Sequence, residues 1–354
     1  GGKQRVAIVG SGAWGSAIAS IVGRNVVRHS DEFVRDVHMW VYEETVEYNG
    51  EQRKLTEVIN VERVNCKYAP DVRLPDNVRA VPDVSEAVRG ATLLVFVLPH
   101  QFLPRVCESM REHVAPSARA ISLIKGMLVE DGHIKPISHV IRDHMSGVTC
   151  DVLMGANIAS EVADGHFCEA TVGLQPVAAD GDAQRGALWQ RVFQTQRYRI
   201  QVVDDLYGVE LCGAIKNVVA LACGFSDGLK YGSNTKAALL RIGLRELHRF
   251  IAHFFPSARA DTMFESCGVA DLITTCHAGR NRLCAEQFVL TGRTWDEIER
   301  DELNGQKLQG TLTCKEVHEI LVKHKLTDRF PLLHHTWRVA FDNLPAAQLF
   351  DALT

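Results

Sequence analysis

Short apolar runs alternate with segments of helical spacing along the first part of the chain. Strands of a parallel sheet covered on both faces read as continuous apolar runs of this kind. The alternation predicts an α/β domain with a doubly wound, mostly parallel sheet over residues 1–203, interrupted by a charged excursion at residues 51–76. The predicted strands are Val6–Val9, Val37–Tyr42, Leu93–Leu98, Ile121–Ile124, a segment beginning at Val152, Thr171–Leu174 and Tyr198–Val203.

After Leu206 the pattern is helical, and we find no convincing strand signal there. The stretch Asp204–Lys230 carries apolar residues on every face between Val209 and Phe225, which predicts a helix buried on all sides. Thr235–Phe255 is amphipathic instead, and its predicted polar face carries Arg241, Arg245, Glu246 and Arg249. Residues 204–354 are therefore predicted to form an all-α C-terminal domain.

A glycine-rich loop, Gly10-Ser11-Gly12-Ala13-Trp14-Gly15, follows the first strand and opens a helix. In a Rossmann-type fold, the first glycine permits the turn, the second admits a pyrophosphate and the third lets the helix pack on the strand. The free N–H groups at the helix start favour a diphosphate. We expect dinucleotide binding here; the alternative is a glycine turn that only joins a strand to a helix.

A long charged loop at Asn25–Asp36 precedes the second predicted strand, Val37–Tyr42, which ends in Glu43 and Glu44. An acidic residue at this position suits the adenosine ribose hydroxyls, and no arginine follows to hold a 2′-phosphate. The sequence therefore favours NAD(H) over NADP(H). The alternative is that both glutamates only end a strand.

Lys216, followed by Asn217, lies within the apolar helical stretch, where an unpaired ammonium is costly. It either snorkels to solvent, meets a carboxylate from elsewhere in the chain, or faces a cavity that binds an anion. Lys125 follows the strand Ile121–Ile124 beside a glycine and is placed to meet an anionic or carbonyl ligand; the alternative is a solvated lysine. After Leu93–Leu98, His100 reads as a turn histidine rather than an acid–base group, and Phe102 either flanks a nicotinamide or packs.

The segment Gly268–Leu283 gathers polar side chains around a glycine turn. Arginine grips phosphate oxygens bidentately, so this composition suits a phosphate; the alternative is a solvated basic turn. Asn304–Gly310 is a second glycine-bounded polar loop. The polar residues of the first loop are Asp271, Thr274, Thr275, Arg280, Asn281 and Arg282.

The 354-residue chain has a formal charge of −4, which argues against nucleic acid or an anionic membrane surface as a partner. Its ten cysteines show no C-x-x-C pair, which indicates reduced thiols in a reducing compartment, and no metal site is expected. The first strand begins almost at once, so we expect no signal or transit peptide before it. We also expect that no apolar run is long enough to cross a bilayer. We therefore expect a cytoplasmic protein.

Eight blocks occur in order across nearly the whole chain: GSGAWGSAIA, WVYEE, VLPHQF, ISLIKG, LMGANIASEVADG, ELCGAIKNVVALACGFSDGL, SCGVADLITTCHAGRNR and NGQKLQG. Together they resemble the cytosolic NAD-dependent glycerol-3-phosphate dehydrogenases of eukaryotes. The resemblance omits much of Asn25–Asp36 and Gln175–Ala187 and fades towards the C-terminus.

The resemblance implies reversible hydride transfer between NADH and dihydroxyacetone phosphate, giving sn-glycerol 3-phosphate, in a homodimer with Lys216 as general acid and base. Two departures from the family are Tyr42, where phenylalanine is frequent, and Ala278, which replaces a glycine and puts the turn geometry in question. The implied substrate site consists of Lys125, Asn217, Asp271, Thr275, Arg280 and Asn281. The implied cofactor contacts are Gly10, Ser11, Gly12, Ala13, Trp14, Gly15, Tyr42, Phe102, Ala159, Arg280, Lys307 and Gln309.

Two other functions are weighed against this one. A different two-domain dehydrogenase, acting on 3-hydroxyacyl or phosphogluconate substrates, would share the architecture, but the Arg280–Asn281 loop favours a small phosphorylated substrate. A non-catalytic NADH-binding sensor would need the glycine loop but not both Lys125 and Lys216.

Overall fold

A computed structural model describes residues 2–177, 182–303 and 305–353. Fourteen strands lie within these residues. They are β1 (Val6–Val9), β2 (Val37–Trp40), β3 (Thr45–Tyr48), β4 (Glu51–Lys54), β5 (Val64–Asn65), β6 (Ala69–Arg73), β7 (Val78–Val81), β8 (Leu93–Phe96), β9 (Arg119–Ser122), β10 (Met127–Glu130), β11 (His133–Pro136), β12 (Thr149–Met154), β13 (Cys168–Gly173) and β14 (Tyr198–Val203).

Fourteen α-helices accompany the strands in the same ranges. They are α1 (Ala13–Arg28), α2 (Leu55–Glu62), α3 (Val84–Ala87), α4 (Leu103–Met110), α5 (Ile137–His144), α6 (Ala159–Ala163), α7 (Asp182–Phe193), α8 (Leu206–Gly228), α9 (Ser233–Phe254), α10 (Asp271–Ala278), α11 (Arg280–Thr291), α12 (Trp295–Glu302), α13 (Gln309–Lys323) and α14 (Pro331–Phe341).

An eight-stranded sheet in the order β14-β13-β12-β9-β8-β1-β2-β7 organises the N-terminal part. Strands β1 and β8 pair in parallel and are fully buried, because helices cover a parallel sheet on both faces. The chain starts in the middle of the sheet and winds outwards in both directions, as in Rossmann-type folds. The predicted α/β fold class is confirmed, as is the helical nature of the segment that follows β14, within the described residues.

The chain divides into two compact units, each with its own apolar core. The first comprises Gly1–Ile124, Ile137–Leu153 and Asn157–Leu206; the second comprises Lys125–Pro136, Met154–Ala156 and Tyr207–Thr354. The second unit therefore includes two short segments that precede the helical part in sequence. The single boundary between residues 203 and 204 stays a prediction.

Three hairpins, β3–β4, β5–β6 and β10–β11, were not predicted, although the turns of two of them carried a signal. Asn49-Gly50 joins β3 to β4, and Asp131-Gly132 joins β10 to β11. All four turn residues have positive φ, as a two-residue hairpin turn of this type requires. The β10–β11 hairpin belongs to the second unit, which is therefore not purely helical.

One prediction about the first unit was wrong, and one strand of its sheet was missed. The loop expected at Asn25–Asp36 begins later, because α1 continues to Arg28. Asn25 is buried and donates hydrogen bonds to the carbonyls of Val192 and Gln194, which holds the last turn of the helix. The short strand β7, with only two buried residues, forms the sheet edge and was not predicted.

Helix α8 is the core helix of the second unit, as predicted. The expectation that no apolar run is long enough to cross a membrane was wrong, because α8 meets that test by length and composition. However, 94% of its most apolar stretch is buried inside the protein, as in the core helix of a folded domain.

Helix α9 departs from its predicted polar face at one position. Glu246 is buried, and its two carboxylate oxygens accept hydrogen bonds from the backbone N–H groups of Leu332 and Leu333 at the start of α14. The carboxylate thus satisfies helix N–H groups that have no partner within their own helix.

Candidate functional site

The glycine loop of the first unit is shaped by two close approaches. Gly10 has a φ of +126°, and a Cβ there would lie 2.6 Å from the carbonyl oxygen of Val97. A Cβ at Gly15 would lie 2.6 Å from the carbonyl oxygen of Gly10. The first glycine therefore makes the turn, and the third lets α1 pack against the loop.

The middle of the loop fits a diphosphate. A Cβ at Gly12 would meet no atom within 4 Å, so the space beside the backbone is open. Helix α1 has no side-chain cap and no acidic residue in its first turn. Its first N–H groups, which include those of Ala13 and Trp14, therefore remain available to an anion.

The two glutamates after β2 both bind groups of the protein. Glu43 accepts hydrogen bonds from the backbone N–H and the hydroxyl of Thr56 in the first turn of α2. Glu44 accepts from the Tyr68 hydroxyl at 2.7 Å and pairs with Lys67. These contacts favour the alternative in which the glutamates organise the end of the strand.

The other candidate contacts of the first unit differ in exposure. Tyr42 is 71% exposed and Phe102 is 54% exposed, which is high for aromatic side chains. Ala159 opens α6 and is partly exposed. His100 lies in a short 3-10 turn, where burial lowers its pKa. The roles of Tyr42, Phe102 and Ala159 stay predictions.

In the second unit, Lys216 meets a carboxylate from another helix. Its Nζ donates to Asp271 Oδ1 at 2.9 Å and to the hydroxyl of Thr275, one turn further along α10. The lysine is only 3% exposed, so the snorkelling alternative is wrong. The residues one turn away from Lys216 on α8 are uncharged, so Asp271 of α10 supplies the counter-charge.

Asp271 also binds a second lysine. Lys125 Nζ donates to Asp271 Oδ2 at 2.8 Å and to the carbonyl oxygen of Gly155 at 3.0 Å. The solvated-lysine alternative for Lys125 is therefore wrong, although 28% of its side chain is exposed. One carboxylate thus holds two ammonium groups close together.

This arrangement changes the acidity of Lys216. Burial lowers the pKa of Lys216 to about 8, because the charged form loses hydration. Asp271 raises the pKa, whereas the nearby Lys125 ammonium lowers it further. A lysine with a pKa in this range can donate and accept a proton near neutral pH, which an ordinary lysine does poorly.

A pair of amides lies beside the lysine. Asn281 donates from Nδ2 to Asn217 Oδ1 at 3.0 Å and accepts from the backbone N–H of Gly310 at 2.8 Å. A Cβ at Gly310 would lie 2.5 Å from Asn281 Oδ1, so this approach requires glycine. The two hydrogen bonds fix the orientation of the Asn281 amide at the start of α11.

The two arginines of the predicted phosphate loop have different partners. Arg282 pairs with Asp227 at 3.1 Å and with Glu286 in its own helix, so it serves the packing of the unit. Arg280 is exposed, and within the described ranges no hydrogen bond or ion pair engages its guanidinium. Only Arg280 is therefore free to bind an anion.

The turn before Arg280 accepts the alanine that raised a question in the sequence. Ala278 is the last residue of α10 and has helical geometry, which alanine favours. Gly279 has a φ of −71°, and a Cβ there would lie 2.4 Å from the carbonyl oxygen of Thr275. The glycine that this turn requires is thus Gly279, and Ala278 imposes no strain.

The second glycine-bounded loop also belongs to this unit, although Asn304 lies outside the described residues. Lys307 donates to Asp296 at 2.9 Å and to Glu299 at 2.7 Å. Gln309 begins α13, and its Oε1 is a buried oxygen without a hydrogen-bond partner among the described residues. A buried amide oxygen of this kind needs a partner, which a ligand or water can supply.

Within the described ranges, no group of three or more histidine, cysteine or acidic side chains is arranged to hold a metal ion.

The structure brings Lys125, Lys216, Asp271 and Thr275 into one network of hydrogen bonds and ion pairs. Asn217 and Asn281 form a neighbouring pair, and Arg280, at the start of α11, has no partner among the residues that the structure describes.

Comparison with known proteins matches both parts of the chain to one family. A family model described as "NAD-dependent glycerol-3-phosphate dehydrogenase N-terminus" matches residues 5–179. A second, described as the C-terminus of the same enzymes, matches residues 205–351. The sequence resemblance fades towards the C-terminus, but the second family model still matches the chain as far as residue 351.

Individual relatives cover almost the whole chain. The cytoplasmic glycerol-3-phosphate dehydrogenase [NAD(+)] of Drosophila melanogaster is 49% identical over 99% of this chain and 94% of its own length. A glycerol-3-phosphate dehydrogenase structure from Saccharomyces cerevisiae has a TM-score of 0.90 at 42% identity, covering 99% of both chains. The Plasmodium falciparum enzyme has a TM-score of 0.91 at 37% identity, covering 100% of this chain and 96% of its own. The chain belongs to the family of NAD-dependent glycerol-3-phosphate dehydrogenases.

Proposed function

We propose that this protein interconverts dihydroxyacetone phosphate and sn-glycerol 3-phosphate, with Lys216 as the general acid and base. The observation that carries the proposal is the buried Lys216–Asp271–Lys125 network, in which a lysine of lowered pKa has a hydrogen-bonded counter-charge. When bound, NADH supplies the hydride for ketone reduction. The chain must then supply a proton to the carbonyl oxygen and hold the phosphate.

Lys216 supplies the proton. Its ammonium donates to the oxygen of the ketone as that oxygen gains negative charge, and the neutral amine takes the proton back in the reverse direction. A positioned acid of this kind contributes roughly 10²–10⁴-fold to the rate. Asp271 and Thr275 hold Nζ in place, which reduces the cost of orienting the acid for each turnover.

Lys125 adds fixed positive charge beside the acid. The Gly155 carbonyl and Asp271 hold its ammonium, so little reorganisation is needed when charge develops on the substrate oxygen. The same charge contributes to the lowered pKa of Lys216, which makes that lysine a stronger acid. Asp271 prevents the buried Lys216 ammonium and the partly exposed Lys125 ammonium from facing each other unpaired.

Arg280 and Asn281 bind the substrate phosphate. Arg280 has no competing carboxylate among the described residues, and Asn281 has a fixed amide at the same helix start. An arginine fork matches phosphate oxygens bidentately, and the helix N-terminus adds N–H groups and its dipole. Binding energy from the phosphate orients the carbonyl for reaction. Asn217 completes this part of the proposed substrate site.

The proposed cofactor is NAD, held by its diphosphate at Gly10–Gly15. The open space beside Gly12 and the uncapped start of α1 support this assignment. Tyr42, Phe102, Ala159, Arg280, Lys307 and Gln309 are proposed as further contacts. Lys307 would exchange one of its two carboxylate partners, Asp296 or Glu299, for the cofactor.

A direct assay tests the function. The nicotinamide absorbance of NADH should decay on addition of dihydroxyacetone phosphate and not with dihydroxyacetone, which lacks the phosphate. A 3-ketoacyl thioester, and 6-phosphogluconate with NAD, test the other dehydrogenase activities. Absence of turnover with dihydroxyacetone phosphate would refute the proposal, and NADH binding without turnover on any of these substrates would favour the sensor.

We further propose a homodimer in the cytoplasm. The dimer rests on the family resemblance, and the compartment on the fruit-fly relative, which is named cytoplasmic. Size-exclusion chromatography with light scattering should give twice the mass of one chain. A monomeric mass across the accessible concentration range would refute the dimer.

A further inference from the structure

Asn65 is a buried asparagine that contacts the glycine loop, and sequence reasoning did not single it out. It lies at the end of β5 and is 0% exposed. Its Nδ2 donates to the carbonyl oxygen of Ser11 at 2.7 Å and to the hydroxyl of Ser16 at 3.0 Å. One amide therefore forms hydrogen bonds to both the loop and the first turn of α1.

The hydrogen bond to Ser11 fixes the direction of a neighbouring N–H group. The Ser11 carbonyl and the Gly12 N–H belong to the same planar trans peptide, so they point in nearly opposite directions. Because Asn65 holds the carbonyl towards the protein, the Gly12 N–H points away from Asn65. No backbone acceptor engages that N–H in the described part of the chain, and the space beside Gly12 is open.

Asn65 is itself held in position. Its Oδ1 accepts from the backbone N–H of Tyr68 at 3.2 Å, which leaves Nδ2 to face the loop. The Tyr68 hydroxyl in turn donates to Glu44 at 2.7 Å, just after β2. The β5–β6 hairpin is thereby tied, through the Glu44 side chain, to the segment between β2 and β3. The amide of Asn65 cannot rotate without losing three hydrogen bonds.

We propose that Asn65 is a positioning residue for the diphosphate of the dinucleotide, acting by aiming the Gly12 N–H outwards from the glycine loop. The inference rests on the proposed function for the identity of the ligand. It assigns a role in cofactor binding to the charged excursion at residues 51–76, which lies outside the glycine motif. A glycine loop can flip its peptide at little cost, and Asn65 selects one orientation.

The test compares Asn65→Leu with Asn77→Leu. Asn77 is a matched control, because its buried Nδ2 likewise donates two hydrogen bonds, in this case to the carbonyl oxygens of Gly23 and Arg35, away from the loop. Fluorescence titration gives the Kd of NADH, and competition against NADH gives the Ki of ADP-ribose and of adenosine. Loss of the aimed N–H should raise the NADH Kd and the ADP-ribose Ki about tenfold in Asn65→Leu.

Adenosine has no phosphate, so its Ki should not change in Asn65→Leu, and Asn77→Leu should change none of the three constants. An unchanged NADH Kd, or an adenosine Ki that rises as much as that of ADP-ribose, would overturn the inference. If Asn65→Leu does not fold, Asn65→Ser replaces it in the test, because serine lacks the amide and has a smaller side chain. The same criteria apply to that variant. Wild-type protein that binds NADH without reducing dihydroxyacetone phosphate would refute the proposed function and leave this comparison intact.

Discussion

Two carboxylates of the second unit, Asp271 and Glu246, are each 2% exposed but have different partners. Asp271 binds the ammonium groups of Lys216 and Lys125. Glu246 binds two backbone N–H groups at the start of α14. Equal burial therefore supports two different roles: the first carboxylate holds groups that can exchange protons, and the second joins two helices.

The ionisable groups of the two regions differ accordingly. Burial lowers the pKa of Lys216 to about 8, so its protonation changes near neutral pH with Asp271 beside it. Burial raises the pKa of Glu246 to about 7, although the two amide hydrogen bonds and Arg249 oppose that rise. A shifted pKa alone does not identify a catalytic group. The partners distinguish the two regions, because Asp271 holds two lysine ammonium groups whereas Glu246 holds backbone N–H groups.

The largest expected effect comes from removing the proton donor. Lys216→Met should lower kcat for dihydroxyacetone phosphate reduction by roughly 10²–10⁴-fold, because the acid is lost while Asp271 keeps Lys125 as its counter-charge. The Kd of NADH, measured by fluorescence titration, should not change. Lys236→Met is the control, because Lys236 also pairs with a partly buried aspartate, Asp227, at 2.7 Å. Turnover near the wild-type rate in Lys216→Met would remove the lysine from the mechanism.

A smaller effect separates the two arginines near α11. Arg280→Ala should raise the KM for dihydroxyacetone phosphate by the equivalent of about 1.5–3 kcal/mol, because a charge-assisted contact to the phosphate is lost. Arg282→Ala should leave the KM unchanged and lower the melting temperature, because Arg282 pairs with Asp227 and Glu286. Steady-state kinetics and thermal unfolding on both variants check this. Equal changes in KM would contradict the division of roles.

The smallest effect tests the structural carboxylate. Because the pKa of Glu246 is raised in the folded state, its contribution to stability is fully present below the unfolded-state pKa of about 4.3 and is lost as pH rises through about 7. Wild-type protein should therefore lose roughly 1–3 kcal/mol of unfolding free energy relative to Glu246→Gln between about pH 5 and pH 8. Urea unfolding at both pH values measures this difference. A constant difference between the two proteins would show that Glu246 does not titrate in this range.

Much of the fold was predictable because its signals are local. Continuous apolar runs located the buried strands β1 and β8, and the glycine loop located the start of α1. The hairpins at Asn49-Gly50 and Asp131-Gly132 were missed despite their turn dipeptides, because all their strands are short and one strand of each, β4 or β11, is mostly polar. The edge strand β7 was missed for a similar reason, since only one of its faces is buried.

The site was predictable by residue type and not by partner. The local sequence left three environments open for Lys216, and the fold selects among them by bringing Asp271 to it across 55 positions of sequence. The composition of Gly268–Leu283 could not show that Arg282 pairs with two carboxylates while Arg280 pairs with none in the described part of the chain. Asn65 and Glu246 gave no signal, because a buried polar residue cannot be distinguished from an exposed one by type alone.

The pH dependence of kcat/KM for dihydroxyacetone phosphate reduction tests the central claim most directly. The substrate phosphate loses its second proton near pH 6, so above about pH 7 the profile reports on the protein. If Lys216 is the acid, the rate should fall as pH rises through about 8, because the ammonium form disappears. The residual activity of Lys216→Met should lack this decline. A decline at the same pH in both proteins would contradict the assignment of Lys216 as the proton donor.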